Sequence, residues 1–214
     1  MLFYRSNQNF FIMKKIVYFI FLLSLSLTFY GCGYNTLVSM EENVNQAWAQ
    51  VENQYQRRMD LIPNLVKTVQ GAADFEKSVL TEVTEARSKV GSVQLNPEDL
   101  NDPEKFQQFQ AAQDQLSSAL SRLLVVVEQY PDIKATQNFR DLQVQLEGTE
   151  NRISVERMKF NESVMTFNSE ARSFPTLITA KLFGFKEKSY FKGKEGSENA
   201  PDVNFDFDKK NDKK

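Results

Sequence analysis

Arg58 stands seven residues after Val51 and seven before Leu65, a spacing that points its guanidinium toward an apolar helical interior. An unpaired charge there is very costly. Glu150 and Glu156 are the candidate partners, and the pair would fix helix register with modest net stabilisation. The other reading is an acidic-ligand site at Arg57 and Arg58, with Asp60 and Asn64 as polar neighbours. Glu150, Asn151 and Arg152 form a second polar group, but no second carboxylate or nucleophile lies at useful spacing for acid–base work. The chain also contains no histidine, which removes the commonest general base and metal ligand. Asn161 and Asn168 share a helix face and are expected to hydrogen-bond between helices and set register, with ligand binding the less favoured reading. Asp206, Asp208 and Asp212 lack the glycine and terminal glutamate of a calcium loop. No cofactor or metal is expected.

The elements that must position these groups are long amphipathic helices. Phe139, Leu146, Ile153, Phe160, Phe167 and Phe174 recur every seven residues, a seam that no strand can produce. Leu142 and Val164 widen it into a core-facing stripe. Phe106, Phe109, Leu116, Leu120, Leu123, Val127 and Tyr130 follow steps of three and four, broken only at Gln113. Asp102 is placed to cap that helix and Pro103 suits its first turn. Leu37, Val44, Trp48, Val51, Tyr55, Ile62, Leu65 and Val69 lie on one face, in a phase that continues through Pro63. Phe75, Val79, Val83, Ala86 and Val90 mark a shorter helix. The spacing therefore predicts helices over 37–70, 74–91, 104–130 and 134–173. Short connectors make an all-α, up-and-down antiparallel four-helix bundle. The regularly spaced phenylalanines and Trp48 are core residues on this reading, not a cofactor box.

The N-terminus reads as a targeting segment. Lys14 and Lys15 precede Ile16 to Tyr30, fifteen uncharged residues, which is short for a permanent membrane span. The pattern begins at Met13, so residues 1–12 read as an upstream over-extension of the start. Phe29-Tyr30-Gly31-Cys32 resembles a bacterial lipoprotein signal, with Gly31 fitting the small-residue requirement and Phe29 and Tyr30 departing from it. Residues 1–31 are then a signal peptide and Cys32 the lipid anchor; the alternative is an uncleaved single-pass anchor. In either case the following chain is exported.

Residues 1–31 hold three basic and no acidic side chains, so their removal leaves 23 Lys plus Arg against 28 Asp plus Glu, a charge of −5. Such a domain has no electrostatic footprint for nucleic acid. With its one cysteine lipidated it has no disulfide. Residues 33–191 are expected to form the bundle and 192–214 a charged tail too polar to order itself. Leu177 to Phe185, flanked by Lys181, Lys186 and Lys188, is expected as a docked end-cap, and Val203, Phe205 and Phe207 as a weakly docked end.

Several motifs cluster in one order. They are Tyr34-Asn35-Thr36-Leu37-Val38, Ala47-Trp48, Arg57-Arg58-Met59-Asp60-Leu61-Ile62-Pro63-Asn64, Tyr130-Pro131-Asp132 and Asn138-Phe139. Leu146-Glu147-Gly148-Thr149-Glu150-Asn151-Arg152-Ile153, Phe160-Asn161, Phe167-Asn168, Phe174-Pro175, Gly184-Phe185 and Tyr190-Phe191 follow. From Tyr34 to about Phe205 the chain resembles the LemA family. The resemblance implies a membrane-attached antiparallel helical bundle with no defined activity. Some members are encoded beside membrane-associated or protease-like partners, which implies assembly work. The expected protein is a membrane-anchored interaction or scaffold protein of the bacterial envelope, with an unidentified protein partner and self-association left open. A regulatory subunit of, or an enzyme in, a protease-like or wall-related assembly is the alternative.

Overall fold

A computed structural model describes residues 2–71 and 75–193; side chains of residues 2–12 and 21–32, and all of residues 1, 72–74 and 194–214, lie outside the description. Cys32 is thus placed only by its backbone, while Val203, Phe205, Phe207 and the three late aspartates fall outside altogether. Among the described residues the structure is all-helical. Its elements are α1 (Leu2–Gln70), α2 (Lys77–Ser92), a 3-10 turn (Pro97–Asn101), α3 (Pro103–Val127), the short α4 (Pro131–Lys134), α5 (Gln137–Arg172) and α6 (Thr176–Phe183).

Local chemistry explains these boundaries. Asp102 Oδ1 accepts the backbone N–H groups of Glu104 at 3.0 Å and Lys105 at 3.2 Å, and Pro103 occupies the first position of α3. Thr136 Oγ1 accepts the N–H of Phe139 at 3.3 Å, so α5 starts at Gln137, three residues later than its pattern predicts. α1 passes through Pro63 and ends before Gly71. It begins at Leu2 and not near Leu37, because the targeting segment holds no proline and its apolar residues favour helix, so nothing breaks the run. Among the described residues no helix is long and apolar enough to cross a membrane.

Contacts fix the helix directions. Between α1 and α5, Trp48 meets Phe160 and Arg58 meets Glu150, so the two run in opposite directions. Between α1 and α3, Trp48 meets Phe106 and Arg58 meets Gln113, so these run together. α2 opposes α3, with Arg122 on Glu82 and Lys89 on Gln115.

The core has two halves. One gathers Ile62, Leu65 and Val69 of α1 with the apolar faces of α2 and the later part of α3, and with Phe139 and Leu146 of α5. The other gathers Leu37 to Tyr55 of α1 with Phe106 and Phe109 of α3 and Ile153 to Ala171 of α5. The sixteen residues of α2 span only about 24 Å against roughly 54 Å for the thirty-six of α5. The second half therefore lies beyond the reach of α2, and Leu100 of the 3-10 turn, Ala180 of the short α6, and Leu95 and Phe191 from non-helical segments close it instead.

Phe174 departs from its predicted place in the seam: α5 stops at Arg172, Ser173 turns extended, and the ring stands in solvent. Tyr130 likewise lies past the end of α3 and is half-buried, packing its ring on Phe75 at 5.0 Å.

Candidate functional site

Arg58 is fully buried, and its surroundings supply partners for both terminal nitrogens of the guanidinium, while Nε has none. Nη1 donates to Ser117 Oγ at 2.7 Å and to Glu150 Oε2 at 3.0 Å. Nη2 donates to the side-chain oxygen of Gln113 and, at 3.5 Å, to the Gln113 carbonyl. Ser117 Oγ in turn donates to Glu150 Oε1 at 3.1 Å. Gln113, the break in the α3 stripe, is thus the residue that faces the break in the α1 stripe. Glu150 stands opposite both on α5, and the three helices meet in one polar layer between the two apolar halves. Glu156, the other candidate partner, instead accepts from Lys159 at 2.8 Å.

The layer is electrostatically uneven. The Arg58 side chain is 1% exposed but that of Glu150 is 51% exposed. Water therefore screens the ion pair, and the amide and hydroxyl contacts carry the burial. Tyr55, one turn earlier on α1, holds its ring 5.2 Å from the Arg58 guanidinium carbon. Burial pushes its hydroxyl up to about 12, with the charges of Arg157 and Arg58 opposing the shift. An unfolded tyrosine ionises near about 10. Between those values the unfolded state binds fewer protons, so stability is full below about pH 10 and falls as pH rises toward about 12. We expect a loss of about 2–3 kcal/mol across that window, mostly abolished in Tyr55→Phe, read from denaturation midpoints against pH.

Asn168 and Asn161 form the second constellation. The Asn168 amide donates to the Lys188 carbonyl at 2.9 Å while its oxygen accepts the Lys188 N–H at 2.9 Å. Asn161 treats Phe191 identically, both bonds being 2.9 Å. Gln110 of α3 repeats the motif on Lys192, at 2.7 Å and 3.2 Å. The asparagines thus bond an extended C-terminal strap, not another helix as their shared face predicts. Seven helical residues rise about 10.5 Å. Three residues of extended or polyproline-type chain cover about 9–10 Å, so the spacings of 161 to 168 and 188 to 191 match. Phe191 enters an aromatic cluster, its ring 4.8 Å from Phe106, 5.5 Å from Phe160 and 6.1 Å from Trp48, with the Arg157 guanidinium 4.4 Å above it. Lys188 reaches Glu41 at 2.6 Å and ties the strap to α1.

The remaining predicted site residues do not converge. Arg57 points to solvent, so the two arginines diverge and form no joint anion site. Asp60 is exposed and accepts from Gln56 at 2.8 Å. Asn64 lines a shallow polar groove of about 400 Å³ with Asp141 and Gln145. Asn151 and Arg152 are exposed, Asn151 lining an open groove of about 530 Å³ with Glu150, Ser154, Arg157 and Asn161. Within that groove Glu150 is engaged by Arg58 and Ser117, and Asn161 by Phe191. No paired acid and base face each other across it. Among the described residues no group of three or more His, Cys, Asp or Glu is placed to hold a metal ion.

Gln110, Gln113, Ser117 and Tyr55 are the participants that spacing alone does not single out as a site. Gln113 carried a signal, since a polar residue on a core stripe needs a buried partner.

Such a molecule is an all-helical protein whose buried polar side chains hold its own backbone and helices. The LemA family model matches residues 47–205, and the chain belongs to the LemA family. It is 30% identical over 177 residues to magnetosome protein MamQ 2 of Paramagnetospirillum magneticum, covering 75% of this chain and 65% of that protein. MamQ of Magnetospirillum gryphiswaldense is 29% identical over 174 residues, covering 74% and 64%. Protein LemA of Metamycoplasma hominis is 22% identical over 180 residues, covering 84% and 78%. The chain thus spans about 65% of the length of the magnetosome relatives it matches.

Proposed function

We propose that this is a membrane-anchored, non-catalytic interaction or scaffold protein of the bacterial cell envelope, built as an up-and-down four-helix bundle whose fourth side is shared by α2 and the strap. One observation carries the reading. Among the described residues the buried side chains of Arg58, Gln113 and Asn168 each bond groups of the protein itself, while Arg58 Nε, Trp48 Nε1 and Gln54 Oε1 make no hydrogen bond. A catalytic centre needs convergent groups held for a substrate, and here they are held for the fold. The names of the relatives bring no activity with them.

The anchor we assign is Cys32, lipidated after removal of residues 1–31, with the single-pass helix as the alternative. The exported side, an envelope protein partner, self-association and the absence of nucleic acid binding belong to the same reading. Placement of the bundle supports it: Gly33, the residue after Cys32, already packs into the fold. A regulatory subunit or enzyme of an envelope assembly is the competing function.

Crosslinking in intact cells followed by mass spectrometry tests the scaffold reading, with Cys32→Ala as control. A defined set of envelope-protein crosslinks that disappears in the control is the expected result. Substrate turnover by the purified chain would contradict it. Mass spectrometry of the mature N-terminus tests the anchor, and an unmodified peptide spanning Tyr30 to Tyr34 would exclude lipidation.

A further inference from the structure

α6 is assembled inside out. Its inward face consists of Thr176, Thr179 and Ala180, all buried. Its outward face carries Ile178 and Leu182, 45% and 71% exposed, one turn apart, with Phe183 at 57% beside them. Phe174, just before the helix, is 82% exposed. Lys181 and Lys186 are exposed at the rim. A helix that merely capped the bundle would turn these large apolar side chains inward, because burying each is worth about 1.5–3 kcal/mol.

The small inward residues have a reason. α6 lies against α1 at Gly33, where Thr179 Oγ1 is 3.4 Å and Thr176 Cγ2 is 3.7 Å from the position a Cβ would take. Tyr34 packs its ring on Phe183 at 4.8 Å and on Phe185 at 5.8 Å. Gly184, at φ 77°, ends the helix and turns the chain into the strap. α6 is therefore fixed beside α1 three residues past the end of the apolar run Ile16–Tyr30, on the same helix that exposes Ile16, Val17, Phe19 and Ile20.

We propose that Phe174, Ile178, Leu182 and Phe183 rest in a lipid surface, with Lys181 and Lys186 at the level of anionic headgroups, as a second membrane contact beside the N-terminal anchor. The occupant is lipid for three reasons. The patch lies against α1 at Gly33, three residues past the apolar run Ile16–Tyr30. Its rim is basic, complementary to anionic headgroups. Its four side chains fall short of the roughly 800 Å² per partner of a stable protein interface, yet they match the apolar face of an interfacial helix. The face holds the bundle at one angle to the membrane, where a single tether would let it swing. This proposal rests on the anchoring proposed above.

The test uses the full chain, purified from membranes and reconstituted in phosphatidylethanolamine vesicles with a phosphatidylglycerol fraction and brominated acyl chains. Leu182→Trp is compared with Val144→Trp, another exposed position, on α5 in the half of the bundle remote from α6. Both sites lie outside the core, and fully buried Trp48 supplies the same background in each. Flotation of the vesicles is read separately. We expect bromine quenching of the Leu182→Trp emission at least threefold greater than for Val144→Trp, with the same result for Ile178→Trp. Protein that floats while Leu182→Trp is quenched by aqueous iodide as readily as Val144→Trp overturns the lipid face and leaves the anchor standing. Shielding from both quenchers means a protein surface covers the patch, which also overturns it. Failure to float overturns anchor and face together.

Discussion

Arg58→Glu is expected to abolish the native fold under conditions where Arg58→Met remains folded. The substitution removes the guanidinium donors to Gln113, Ser117 and Glu150 and sets a second carboxylate beside Glu150. Breaking a buried charged group from its partners costs about 3–5 kcal/mol, against a total stability of about 5–15 kcal/mol for a domain. Methionine keeps much of the volume and carries no charge. It leaves Gln113 without its donor, while Ser117 still bonds Glu150, and the cost should be about 1–2 kcal/mol. The unequal exposure of the layer gives a second ordering. Glu150→Gln should cost less than 1 kcal/mol, because half of that side chain is in water. Gln113→Leu should cost more, because it strips a buried partner from a charge that stays. Thermal melts followed by circular dichroism read all four. Equal tolerance of Arg58→Met and Arg58→Glu would show that position 58 is not held in the interior.

The pair Asn161→Ala and Asn168→Ala is expected to free the strap without melting the helices. Asn168 is fully buried, and its loss leaves both backbone groups of Lys188 without partners. Each orphaned group costs about 1–3 kcal/mol. Asn161 adds a similar, half-exposed pair on Phe191. Once these bonds are gone, the contacts of Phe191, the Gln110 bonds to Lys192 and the Lys188–Glu41 pair are left to offset the entropy of ordering ten residues of non-helical chain, at roughly 1–2 kcal/mol per residue. Phe191 should then leave the cluster and admit water to Trp48, the one tryptophan in the chain. A red shift of Trp48 emission with nearly unchanged helical circular dichroism is the predicted signature. An unshifted emission would mean that the strap is held by Phe191, Gln110 and the Lys188–Glu41 pair without the two asparagines.

The helices were readable because their information is local and periodic. Phe139 to Phe167 declares a buried stripe at every seventh position, and Asp102-Pro103 declares a start. The burial of Arg58 was readable in the same way, since the phase of Val51 and Leu65 places it inward whatever the residue is. Its full set of partners was not. Gln113 and Ser117 reach it only because α1 and α3 run together, a fact of helix arrangement that no window of sequence contains. The strap was hidden for a different reason. Residues 184–193 carry neither period, so their order comes from side chains elsewhere in the chain. Asn161 and Asn168 display their common face but not whether a helix or a bare backbone lies on it. α6 misleads in the opposite direction. Its apolar content suggests a buried cap, and only the closeness of Gly33 to Thr176 and Thr179 shows which side faces in. In the groove beside Glu150, both Glu150 and Asn161 already hold bonds within the protein.

Amide hydrogen exchange of the full chain at Lys188 and Phe191 tests most directly whether the buried polar side chains serve the fold. Their N–H groups bond Asn168 and Asn161 and have no place in a helix or sheet. Slow exchange at both, lost in the double asparagine variant while the amides of α5 stay protected, is the predicted result. Fast exchange at Lys188 and Phe191 in the unaltered protein would contradict it, and would return the two asparagines to the list of groups available to a ligand.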